Sequence, residues 1–124
     1  MRFIKLMLCL CAAFLLVGCT FDHKTPGMTT VQYAPYPTGQ FRFEGAHLFW
    51  IEEDKLAETI REYKKTHPGE KYEFLSEDKL SSKEQDRIRR IFEECGVELE
   101  HFWVPTSRPN PNPGKYGPDY LDVK

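Results

Sequence analysis

The chain has 124 residues, 40% of them hydrophobic and 29% charged, which fits one small globular domain and excludes a disordered polymer. Lys and Arg number 17 against 19 Asp and Glu, a net charge of -2; without residues 1–18 the balance is 15 against 19, or -4. A mildly acidic surface excludes a general electrostatic footprint for nucleic acid and adhesion to anionic lipid by charge.

In chain order, the first element is an export-type segment. Arg2 and Lys5 precede the twelve apolar residues Leu6 to Val17, and small Gly18 stands before Cys19. Twelve residues are too few to span a bilayer core, which needs about 20 in a helix. The sequence Leu16-Val17-Gly18-Cys19 resembles the lipobox of bacterial lipoproteins, a resemblance confined to the first twenty residues. It implies that residues 1–18 are a signal peptide and that the Cys19 sulfur carries lipid. The membrane partner is then reached through Cys19. It also implies a place in the cell envelope. Thr20, not Asp, follows the cysteine, as in lipoproteins sent to the outer membrane of enteric-type bacteria; in a cell with one membrane the anchor would hold the domain on the outer face. Two or three acyl chains make such an anchor effectively permanent. Cys9 and Cys11 leave with the signal, so Cys95 remains as the free thiol, and its place on a helical apolar stripe predicts a buried small hydrophobe.

Residues 19–40 read as a lipidated tether, since Pro26, Gly27, Pro35, Pro37 and Gly39 interrupt any period. As coil these residues would span roughly 25 Å, and stretched about 70 Å. The ordered domain is expected over 41–104. Residues 41–51, FRFEGAHLFWI, predict a strand; Leu56, Ala57, Ile60 and Tyr63 then fall on one helix face, with Glu52, Glu53 and Asp54 at its start and Lys64 and Lys65 at its end. Residues 71–75, KYEFL, predict a second strand. Ser81 or Ser82, with Glu84 or Gln85, forms a capping box for a second helix whose buried stripe is Ile88, Ile91, Phe92 and Cys95. A third strand spans 97–104. The fold class is α/β: a small β-α-β-α-β domain with a mainly parallel three-stranded sheet, two helices and Pro/Gly-rich arms on both sides. Residues 105–124 read as an extended arm, because Pro109, Pro111, Pro113 and Pro118 remove backbone donors. Phe102 and Trp103 are neighbours on one strand, so both sheet faces carry large apolar groups and each needs a cover: a helix, an arm of the chain or another protein.

No phosphate-binding glycine loop, zincin helix, nucleophile-elbow serine or paired CxxC appears after the signal, and no catalytic residue and no cofactor is expected. His47 and His101 begin their strands alike, so parallel neighbours in register would bring the rings together as weak metal or acid-base candidates. In the cluster Arg87, Arg89 and Arg90, Glu93 and Glu94 stand four residues after Arg89 and Arg90 and Asp86 four before Arg90, the pattern of a self-paired solvated helix face. Trp50, Phe102 and Trp103 form the candidate binding surface, although in so small a domain such rings are also needed for the core. The expected function is a non-enzymatic accessory lipoprotein that engages a protein partner in the envelope. An immunity or exclusion lipoprotein and a minimal envelope enzyme are the alternatives.

Overall fold

The computed structural model describes residues 27–44 and 50–124. Its elements are β1 (Met28–Ala34), β2 (Gln40–Glu44), α1 (Glu53–Thr66), β3 (Lys71–Ser76), α2 (Ser82–Glu94), β4 (Leu99–Pro105) and β5 (Tyr120–Asp122). They form one five-stranded sheet in the order β2-β1-β3-β4-β5. The α/β class matches the sequence reading, but the sheet has five strands, not three.

The first additional strand is β1. Residues 28–34, expected within the tether, lie between β2 and β3, antiparallel to one and parallel to the other. Thr29, Val31 and Tyr33 alternate along it and are buried, while Gly27, at φ +76°, turns the chain in and Pro35 follows the strand. The period is two, but it is short, and polar Thr30 and Gln32 interleave with it. The second additional strand is β5, which pairs antiparallel with β4 at the sheet edge, so the arm of 105–124 returns to the domain.

Both helices follow the sequence reading closely. α1 buries Leu56, Ile60 and Tyr63; its first turn is acidic and its last basic, and Gly69, at φ +83°, lies beyond its end. α2 starts at a capping box in which Ser81 Oγ accepts from the Glu84 amide and Glu84 Oε1 accepts from the Ser81 amide. Ser81→Ala should cost about 1 kcal/mol and lower Tm by ~4–8 °C, measurable by thermal circular dichroism.

The helices pack on one face of the sheet. Val31, Phe43, Phe74 and Phe102 meet Leu56 and Ile60 of α1 and Ile88 and Phe92 of α2 in one core; Phe74 stacks on Phe102 at 4.5 Å between centroids and meets Phe92 edge-on at 6.4 Å. A bulge in β4 sets the parity of that face. Tyr72 pairs with Leu99 but Glu73 with His101, so Glu100 is an extra residue, and both Leu99 and Phe102 reach the helix side. Trp103 then points to the opposite face. Cys95 is buried against this core, and burial pushes its thiol pKa up, in keeping with a structural role.

Candidate functional site

The second face of the sheet centres on Glu73 of β3. In a strand packed on both sides, the sequence Lys71-Tyr72-Glu73-Phe74-Leu75 puts Phe74 under the helices and Glu73 on the other face, where its side chain is 1% exposed. A buried carboxylate is costly unless its lone pairs are filled. Four donors fill them. Thr30, its register partner on β1, donates from Oγ1 at 2.7 Å, and Trp103 donates from Nε1 to the other oxygen at 3.3 Å. Lys115 Nζ at 2.7 Å and Tyr116 OH at 2.9 Å come from the C-terminal arm.

These contacts outweigh desolvation. Burial alone would raise the Glu73 pKa, but the hydrogen bonds from Lys115, Thr30 and Tyr116 and the Lys115 charge hold it below its ordinary value. Burial would likewise depress Lys115, and its bond and charge pairing with Glu73 raise it instead. The pair is therefore ionised across the neutral range.

The arm covers Trp103 as well. Gly114 lies so close that a Cβ built on it would be 2.1 Å from the indole, and Tyr116 meets that ring edge-on at 5.5 Å. Beyond the turn, Asp122 of β5 accepts from the Phe102 amide at 2.8 Å and pairs with His101 Nδ1 at 2.7 Å. Burial pushes its carboxyl pKa up, yet these bonds, with one from the Lys124 amide, keep it low. His101 thus fastens β5 to β4.

Comparison of the chain with protein-family models, curated proteins and solved structures finds no match. The roles of the sequence-predicted residues follow from their placement. Phe102, 1% exposed, lies under the helices, and Trp103, 6% exposed, lies on the opposite face under the arm, so Trp50, Phe102 and Trp103 do not form one exposed platform. Trp50 sits by the β2 edge with the Arg42 guanidinium 5.1 Å from its ring. Cys19 and His47 lie outside the described residues. β2, at the start of the strand expected over 41–51, is separated from β4 by β1 and β3. Among the described residues, no group of three His, Cys, Asp or Glu side chains is placed to hold a metal.

The arginine cluster pairs differently from the sequence expectation. Arg87 bridges to Glu53 of α1 at 3.1 Å; Arg89 pairs with Asp86, donates to the Val123 carbonyl and lies over the Phe102 ring. That arginine rims a cleft of about 200 Å³ whose floor is Phe92, Val97, Leu99 and Phe102. At the end of the sheet where β1 begins, a second polar cluster joins Thr29 Oγ1 to Tyr63 OH at 3.0 Å and to Glu70 at 2.7 Å. Beside it the Tyr72 hydroxyl is buried with no hydrogen-bond partner among the described residues, and desolvation, then the nearby Tyr63 and Glu70, pushes its pKa to about 12.

Glu73, Thr30 and Lys115 were not among the residues singled out from sequence. Two signals point to them in retrospect: a lone acid inside an apolar strand, and a Lys-Tyr pair framed by Gly114 and Gly117 in a proline-rich arm.

Proposed function

We propose that this protein is a lipid-anchored lipoprotein of the cell envelope, held through Cys19, that acts as a non-enzymatic accessory module by binding a protein partner. The observation that carries this reading is the Leu16-Val17-Gly18-Cys19 box behind a basic start and twelve apolar residues. Among the described residues no helix is long and apolar enough to cross a membrane, so a membrane location rests on the lipid. Thr20 after the cysteine supports the outer membrane, facing the periplasm, in a cell with two membranes.

The start of β1 sharpens the geometry of the anchor. Nine residue steps separate Cys19 from Met28, the first residue of the sheet, and a chain of that length reaches at most about 32 Å. The domain would therefore stand within one small-domain diameter of the bilayer, not the 70 Å allowed by a longer tether. The β1 end of the sheet, with Lys71 and the turn after α1, faces the membrane in this reading. The Tyr36 turn, where that ring is 77% exposed, faces away.

Intact-mass analysis of the native protein tests the anchor. The mature chain should begin at Cys19 with a diacylglyceryl mass on it and partition into detergent, and Cys19→Ala should abolish both properties. A wild-type chain that retains Met1 and an unmodified Cys19 would refute the reading.

A further inference from the structure

The arm's hold on the sheet has the form of a ligand in a receptor. The receptor half belongs to the folded body, where Thr30 and Trp103 fix the two oxygens of Glu73 and the indole offers a flat face. The ligand half is the contiguous tripeptide Gly114-Lys115-Tyr116, and each position has its own requirement: no side chain against Trp103, a cation at 2.7 Å from Glu73, and an aromatic hydroxyl at 2.9 Å from the same oxygen.

The rest of the loop contributes little burial. Residues 107–109 and 111–113 are exposed, the chain bends at 107–108 and 111–112, and the loop is drawn together by its own backbone, the Thr106 amide donating to the Asp119 carbonyl at 2.9 Å and the Asn110 amide to the Pro118 carbonyl at 2.6 Å. A permanent cover for a sheet face is made as well or better by apolar side chains, because desolvating an ion pair costs most of what the pairing returns. What a buried carboxylate adds is selectivity. Its donors can also be exchanged for others of the same kind.

We infer that the second face of the sheet is a recognition site for a Gly-Lys-Tyr-Gly turn of a partner protein, with the turn Gly114-Lys115-Tyr116-Gly117, closed by the Gly117 amide on the Gly114 carbonyl at 3.1 Å, as the cis occupant that such a turn displaces. The loop between β4 and β5 opens like a strap, and β5 stays paired. The inference stands on the described domain and does not depend on lipid at Cys19.

The probe is a fluorescein-labelled peptide with the sequence of residues 112–119, Asn-Pro-Gly-Lys-Tyr-Gly-Pro-Asp, titrated by anisotropy against the full chain. An intramolecular competitor acts at an effective concentration on the order of millimolar, so the wild type should bind the peptide at least ~10-fold more weakly than a vacated variant. Two variants vacate the site differently: Lys115→Ala with Tyr116→Ala removes the donors, and Gly114→Ala drives the loop off the indole. Adding Glu73→Gln to either should remove binding, as should a peptide with Glu in place of its Lys.

Folded vacated variants that fail to bind, or binding indifferent to Glu73→Gln, would overturn the inference. So would loss of folding in both variants, since a displaceable strap requires a body that stands without it. Concentration-dependent dimers of the wild type, held by exchanged arms, would assign the site to a second copy and overturn the partner.

Discussion

Replacing Lys115 with Met should destabilise the domain by about 2–3 kcal/mol at neutral pH. Breaking a buried ion pair by removing one member typically costs ~3–5 kcal/mol, because the remaining charge is left uncompensated. The lower figure applies here because the Lys115 side chain is 40% exposed and Thr30, Tyr116 and Trp103 still donate to Glu73.

The pH dependence gives this loss a signature. The Glu73 pKa is lowered on folding, so its stabilisation is present above the ordinary glutamate value of about 4.3 and disappears as pH falls through the folded value. The Lys115 pKa is raised, so its contribution is present below the ordinary lysine value of about 10.4 and disappears as pH rises through the folded value. The difference between wild type and Lys115→Met should therefore be level from about pH 5 to 10 and close in acid, where both chains carry a protonated Glu73. Urea titrations at pH 7 and pH 3 measure it. An equal gap at both pH values would mean that the arm is held by packing and not by charge.

Val31→Asp should leave the protein unfolded at room temperature. Val31 is fully buried in β1, opposite Phe43 of β2 and Phe74 of β3, under the helices. An aspartate there loses about 1.5–3 kcal/mol of apolar burial and sets a carboxyl in an apolar core at a further ~2–7 kcal/mol, against a total stability of ~5–15 kcal/mol for a typical domain. In a solvated tether the same substitution would shift stability by no more than ~0.5 kcal/mol. Amide dispersion in a proton-nitrogen NMR spectrum separates the outcomes. A spectrum as dispersed as the wild type's would show that residues 28–34 are not part of the sheet.

The two helices were legible because each carries its information locally. The stripe Leu56, Ile60, Tyr63 and the stripe Ile88, Phe92, Cys95 repeat at helical spacing, and Ser81 with Glu84 marks a start within three residues. The strands of 71–76 and 99–105 were legible for a similar reason, as aromatic runs bounded by turn residues. The α/β class then followed from their alternation with helices.

The strand order did not follow. β1 is a seven-residue strand between Gly27 and Pro35, and those punctuating residues concealed an alternation of Thr29, Val31 and Tyr33 whose apolar value appears only when β2 and β3 flank it. Phe102 and Trp103 were parted by parity. Adjacent residues of a strand face opposite ways, and the extra Glu100 in β4 decides which of them meets the helices.

The sequence alone determined the helices, the capping box of α2, the aromatic strands and the lipobox resemblance, each written in residues a few positions apart. Tertiary structure decided the place of β1, the face each aromatic ring took and the cluster at Glu73. There the partners lie 42 and 43 positions away in the chain, and no local pattern can encode which distant donor fills a buried lone pair.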